Sequence, residues 1–180
     1  MEATTARVLE LGGTHVDIGQ SPSEPHTVLA DPEGNELCVI EPGNRFLAGT
    51  GAVGAINCDG TRELGIFWSR ALGWPLVWDR DEETAVQSPP GGTKITWSGP
   101  PLMPRHGRDR LRVEVAAVGS VRWSVERLTA LGARVGAVGS GETVLVDPGG
   151  NEFHLTGDGP EPVGIPQGGM LFDVTDTDPT

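Results

Sequence analysis

The sequence of 180 residues is poor in the residues that several classes of protein depend on. It has only two cysteines, too few for a disulfide framework, so a reducing, cytoplasmic setting is expected. No apolar run is long enough to cross a bilayer, and no basic-then-apolar leader opens the sequence, so we expect neither a membrane anchor nor secretion. A net charge of −12 argues against nucleic acid as a partner, because basic side chains must neutralise phosphates.

An internal repeat is the strongest positive signal. Residues 27–39 (TVLADPEGNELCV) and 143–155 (TVLVDPGGNEFHL) share an apolar run, an Asp-Pro-x-Gly turn and a second apolar run. This pattern predicts a β-hairpin in both places. The repeat extends backwards to residues 6–13 and 126–133, each typical of an amphipathic helix end closed by glycine.

Periodicity predicts two complete β-α-β-β-β modules, at 52–98 and 111–157. The first has its predicted helix at 61–72, and its strands lie at 53–58, 75–79, 84–88 and 94–98. The second has its helix at 120–131, and its strands lie at 111–115, 134–138, 143–146 and 152–156. We therefore expect one two-module domain over residues 52–157.

The N-terminal residues 1–41 predict a partial copy of the same module, followed by a linker at 42–51. This copy has a helix at 3–11 and three strands, at 14–19, 26–30 and 36–40, but it lacks an opening strand. The tail, 158–180, contains one candidate strand within 170–178. We predict that this strand completes the N-terminal module, in the same chain or in a partner chain; the alternative is a frayed tail beside a truncated module.

Two motifs carry a family resemblance. The first helix ends in Phe67-Trp68-x-x-Ala71-Leu72-Gly73-Trp74, and the last hairpin contains Asp147-Pro148-x-Gly150-Asn151-Glu152-Phe153. Together with the tandem modules, they resemble glyoxalase-like, bleomycin-resistance-type domains of the vicinal oxygen chelate superfamily. The resemblance implies an α+β fold whose cupped, mostly antiparallel sheets surround a small-molecule cavity. The odd module count leads us to expect a homodimer that pairs the orphan modules, or alternatively a permuted gene.

The resemblance also implies where a metal would bind, on the first and last strands of each module. Those positions fall on or near Val53, Val113, Thr96-Trp97 and His154. Only His154 is a strong ligand, and a single histidine does not hold a divalent ion against water. We therefore expect no metal and no cofactor, unless a one-residue shift of register lets His154, Glu152, Glu114 and Asn57 act as ligands.

Several side chains on the predicted strands are candidates for a cavity wall. Trp78 and Trp97 each line the cavity or pack under a helix, and the sequence leaves both options open. Flat aromatic walls with a few polar groups suit an aromatic or cationic ligand. The predicted ligand-binding residues are Asn57, Trp78, Trp97, Arg112, Glu114 and His154.

Three functions are considered. The first, which we expect, is metal-independent binding of a small molecule; the other two are alternatives. The second is a lyase or isomerase in which His154 and Glu152 are the catalytic acid–base residues. The third is a metal-dependent member of the superfamily with atypical ligands. The arginine-rich loop at 105–112 either gates an anionic substrate or is simply solvated.

Overall fold

A computed structural model describes residues 1–21, 23–104, 111–139, 142–157 and 170–173. The chain divides into two compact units, 1–49 (unit 1) and 50–180 (unit 2). Within the described ranges, no helix combines the length and apolar character that crossing a membrane requires.

Unit 1 is a helix followed by a three-stranded antiparallel sheet. Its elements are α1 (Glu2–Glu10), β1 (Thr14–His15), β2 (His26–Ala30) and β3 (Glu36–Ile40), and the strand order is β1-β2-β3. The predicted hairpin is present, because the Asp31 carboxylate accepts from the backbone N–H groups of Glu33 (2.9 Å) and Asn35 (2.8 Å). The first strand is shorter than the predicted 14–19.

The first module of unit 2 has the predicted β-α-β-β-β order. It consists of β4 (Ala55–Asp59), α2 (Arg62–Leu72), β5 (Leu76–Arg80), β6 (Glu83–Val86) and β7 (Lys94–Ser98). The strand order is β4-β7-β6-β5; β4 and β7 are parallel and the other pairs antiparallel. Gly73 ends α2 in the left-handed region, at φ 69°, which favours glycine.

The second module repeats this topology. It consists of β8 (Arg112–Ala116), α3 (Val121–Ala130), β9 (Arg134–Gly139), β10 (Glu142–Val146) and β11 (Glu152–Thr156). The parallel pair is β8–β11, and the sheet order is β12-β8-β11-β10-β9. The predicted α+β fold with tandem modules is therefore confirmed.

The tail contributes the last strand, β12 (Met170–Asp173). It pairs antiparallel with β8, with Leu171 opposite Glu114 and Asp173 opposite Arg112. Its place is thus at the edge of the second-module sheet and not in the sheet of unit 1. That the tail completes the N-terminal module stays a prediction, and residues 174–178 lie outside the described ranges.

Helix α2 holds the two sheets of unit 2 together. The Trp68 ring stacks on Trp97 of the first sheet (centroids 6.3 Å apart) and meets Phe153 of the second sheet edge-on at 5.0 Å. Gly65 allows this approach, because a Cβ there would collide with the Thr84 side chain. Both sheets therefore turn their helix-bearing faces towards one core. We call the opposite side of each sheet its outer face.

Candidate functional site

The outer face of the second-module sheet carries four of the predicted site residues. Val113, Val115, Phe153 and Leu155 belong to the core or pack against it. Because side chains alternate along a strand, the residues between and beside them point to the outer face. Those residues are Arg112, Glu114, Glu152 and His154.

His154 lies at the centre of this face. It is opposite Glu114 in the parallel β8–β11 pair and opposite Val144 in the antiparallel β10–β11 pair. Only 7% of His154 is exposed. An imidazole in this position can donate one hydrogen bond and accept another, with a carboxylate in the neighbouring strand position.

Arg112 and Glu114 form an ion pair on the same strand. The distance from Arg112 Nη2 to Glu114 Oε1 is 3.3 Å, and the two side chains are 34% and 24% exposed. Partial burial makes this pair less screened than a fully solvated one. The pair holds the Glu114 carboxylate beside the His154 strand position.

Glu152 shares the outer face with His154, but it is exposed at the beginning of β11. In the antiparallel β10–β11 pair, Glu152 is opposite Val146. The strand position directly beside His154 is therefore filled by Glu114 and not by Glu152, the partner that the sequence suggested.

The outer face of the first-module sheet carries Asn57 and Trp78. Asn57 is opposite Thr96, and Trp78 is opposite Ala85. Asn57 is exposed, and its Oδ1 accepts a hydrogen bond of 3.1 Å from Ser98 Oγ. The guanidinium of Arg80 lies over the Trp78 ring, 4.9 Å from its centroid, so this aromatic face already has a cation on it.

Trp97 does not belong to this surface. It is 3% exposed and stacks on Trp68 in the core. It lies one position after Thr96 along β7, and alternation therefore places it on the helix-bearing face. Its assignment to the ligand-binding set is corrected accordingly: Trp97 packs under a helix.

The structure also separates the two groups of polar candidates. Asn57 and Trp78 belong to one sheet, while Glu114 and His154 belong to the other. Each group lies on the face of its sheet opposite the shared core. That the two groups form a single ligand-binding set stays a prediction.

Two buried polar residues on the first-module outer face were not among the predicted ligand-binding residues. Lys94 is 3% exposed and Thr96 is 2% exposed, and Thr96 Oγ1 donates a hydrogen bond of 2.8 Å to the Thr84 carbonyl oxygen. Burial lowers the pKa of Lys94. Lys94 is the only lysine in the chain, and its alternation with Thr96 on β7 was the signal that could have found it.

The acidic, histidine and cysteine side chains bear on where a metal could bind. Across the parts of the chain that the structure covers, no group of three or more His, Cys, Asp or Glu residues is placed to hold a metal ion. Of the ligands in the register-shift alternative, Glu114, Glu152 and His154 belong to one sheet and Asn57 to the other. Residues 105–110 of the arginine-rich loop lie outside the described ranges.

Comparison with protein families identifies the class of protein that this fold and these modules define. The model of the glyoxalase-like domain matches residues 1–40 and 54–156. The chain therefore belongs to the glyoxalase-like domain family, within the vicinal oxygen chelate superfamily that its motifs resemble. Curated proteins yield no significant match.

Solved structures of similar fold come from several bacteria. A glyoxalase-related enzyme from Fulvimarina pelagi is 18% identical, with 68% of this chain and 96% of that chain covered and a TM-score of 0.44. The fosfomycin resistance protein FosX from Listeria monocytogenes, solved with Mn(II) and sulfate, is 12% identical (58% and 86% covered, TM-score 0.45). The antibiotic-binding protein TnmS3 from a Streptomyces species is 18% identical (62% and 97% covered, TM-score 0.42).

Proposed function

We propose that this chain is a metal-independent small-molecule-binding protein whose site is the outer face of β8 and β11. The observation that carries the proposal is His154, a nearly buried polar side chain on a face directed away from the core. A face on which a few polar groups converge is the usual make-up of a ligand site. Because Cys38 and Cys58 form no disulfide, we further propose that the protein works in the cytoplasm.

The charge of the whole chain favours a cationic ligand. On this face, the carboxylates of Glu114 and Glu152 are balanced by the guanidiniums of Arg112, which pairs with Glu114, and of Arg134 on β9. The net charge of −12 adds a long-range attraction for cations. Aromatic stacking is a weaker basis for the ligand's chemistry, because Trp97 is in the core and Arg80 already covers Trp78.

Binding of acridine orange, a planar aromatic cation, to chelator-treated protein tests the proposal. We expect saturable binding that Glu114→Gln weakens about tenfold or more, since a charged partner contributes about 1.5–3 kcal/mol. The matched control is Glu126→Gln, an exposed glutamate on α3 that pairs with Arg122, and it should leave the affinity unchanged. An affinity that is equal in wild type and Glu114→Gln, or that is lost on chelation, contradicts the proposal.

Elemental analysis of protein purified without chelator or affinity metal tests the metal independence separately. The proposal expects only traces of transition metal. Nickel, zinc, iron or manganese near one equivalent would instead support a metal-dependent protein with atypical ligands.

A lyase or isomerase is the second candidate, and the adjacency of His154 and Glu114 favours it. A carboxylate beside a buried imidazole is an arrangement used to orient a general acid–base. In a binder, His154→Ala lowers affinity modestly. In an enzyme, the same change abolishes turnover of a bound compound and leaves its affinity nearly intact.

A further inference from the structure

Lys94 is a buried amine on the outer face of the first-module sheet. Only 3% of the residue is exposed, and it is the only lysine in the chain. Lysine is rarely buried to this degree, because moving an ammonium ion out of water costs free energy. The binding proposed for β8 and β11 makes no use of this side chain, and Lys94 is therefore a candidate for a separate role.

The backbone around Lys94 is fixed on both sides of the strand. On the β4 side, the Lys94 N–H donates to the Gly54 carbonyl oxygen (3.0 Å), and Thr93 Oγ1 donates to the Val53 carbonyl oxygen (3.1 Å). On the β6 side, Gln87 Nε2 donates to the carbonyl oxygen of Gly92, at 2.8 Å. The beginning of β7 is therefore a rigid base, and rigid elements position a reactive group more precisely than loops do.

Two methyl side chains lie near Lys94 on the same face. Ala55 is opposite Lys94 in the parallel β4–β7 pair, and the fully buried Ala85 is opposite Thr96, two residues further along β7. Residues opposite each other on paired strands share a face, as do residues two apart on one strand. Burial in these surroundings lowers the pKa of Lys94, so more of its amine is unprotonated at neutral pH than in an ordinary lysine.

The outer face of β4, β5 and β6 also carries three charged side chains. Asp59 is opposite Ser98, at the other end of β7 from Lys94, and Arg80 is opposite Glu83. Glu83 Oε1 accepts a hydrogen bond of 3.4 Å from Thr96 Oγ1. Carboxylates and guanidiniums keep their charge between about pH 6 and pH 9. A pH dependence of chemical reactivity at Lys94 in that range therefore reports its own amine.

We propose that Lys94 is a nucleophilic amine that captures a small, neutral aldehyde or ketone as an imine. An unprotonated lysine in apolar surroundings is the arrangement that forms Schiff bases with carbonyl compounds. The nitrogen lone pair adds to the carbonyl carbon, and the resulting carbinolamine loses water to leave a C=N bond. The water takes the carbonyl oxygen and both hydrogens of the amine, so the step needs no oxidant or reductant. A neutral compound suits the site because a charged one would have to be desolvated beside the two alanines.

Reductive trapping of the full chain with benzaldehyde and cyanoborohydride tests the inference. The chain has two primary amines, Lys94 and the amino terminus, so the masses of proteolytic fragments assign each benzyl group. At pH 7 we expect Lys94 to be labelled about tenfold faster or more than the side chain of Nα-acetyl-lysine, because a pKa lower by one leaves about ten times more amine unprotonated. The labelling rate should also level off at a lower pH than that of Nα-acetyl-lysine.

Lys94→Arg is the matched control, because it keeps a cation at this position but forms no imine. Lys94→Met is a second control without the charge, and both variants should be labelled at the amino terminus alone. In urea, where the amine is solvated, the advantage of Lys94 over Nα-acetyl-lysine should disappear. Labelling of Lys94 in the folded chain that is no faster than that of Nα-acetyl-lysine, or that appears only in urea, overturns the proposal. Trapping is measured without acridine orange, so its outcome does not depend on the proposed β8–β11 site.

Discussion

Replacing Asp147 by alanine should destabilise unit 2 strongly. The Asp147 residue is 1% exposed. It accepts hydrogen bonds from Trp68 Nε1 (3.1 Å) and from the Asn151 backbone N–H (2.9 Å). Its carboxylate therefore fixes the hairpin turn and joins that turn to the helix at the centre of the core.

The cost follows from the groups left without an acceptor. Each buried donor that loses its partner costs about 1–3 kcal/mol. Two donors, one in the indole of Trp68 and one in the backbone of Asn151, give a loss of about 3 kcal/mol in the free energy of unfolding. With a urea m-value of about 1.5 kcal/mol/M, the midpoint should fall by about 2 M.

Tryptophan fluorescence during urea unfolding measures this effect selectively. All five tryptophans lie after residue 50, so the signal comes from unit 2. Asp31→Ala is the matched control, because Asp31 holds the same turn in unit 1, and it should leave the fluorescence transition unchanged. A midpoint for Asp147→Ala within about 0.5 M of wild type would refute the reasoning, since one lost buried donor alone exceeds that shift. An equal shift for Asp31→Ala would refute it as well.

Three further outcomes are expected. Gly65→Ala should lower unfolding stability by about 2 kcal/mol, because its Cβ meets the Thr84 side chain, while Gly51→Ala, with open space around it, should be neutral in thermal melts. Ser120→Ala should cost about 1 kcal/mol in urea unfolding, because it removes the N-cap of α3. Burial lowers the pKa of Lys94, so the charged ammonium lowers the free energy of unfolding at neutral pH. This loss of stability becomes smaller as the pH rises towards the ordinary pKa of lysine. The stability advantage of Lys94→Met over wild type should therefore shrink with rising pH.

Local features of the fold were predictable from the sequence. The two Asp-Pro-x-Gly turns form because each aspartate accepts N–H groups within its own turn, at Asp31 and at Asp147. Such hydrogen bonds depend on neighbouring residues alone. The predicted helix at 61–72 likewise agrees with α2 (Arg62–Leu72), whose end is fixed by Gly73.

The composition of the site was less predictable, because it depends on contacts distant in sequence. The alternation of side chains along the strands puts Trp97 on the face opposite Asn57 and Thr96. It does not say which of the two faces α2 packs against. That choice is made by Gly65 and Trp68, which pack on Trp97 from about thirty residues away. Likewise, the partner of β12 is decided by pairing with β8 and not by the tail sequence itself.

The most direct test of the central claim is proton NMR of the four histidines during a titration with acridine orange. The His154→Gln variant assigns the signal of His154 by its absence. The account predicts that the His154 resonance shifts on saturation while the other three stay in place. A titration that saturates without moving the His154 resonance would show that the ligand binds elsewhere and would contradict the account.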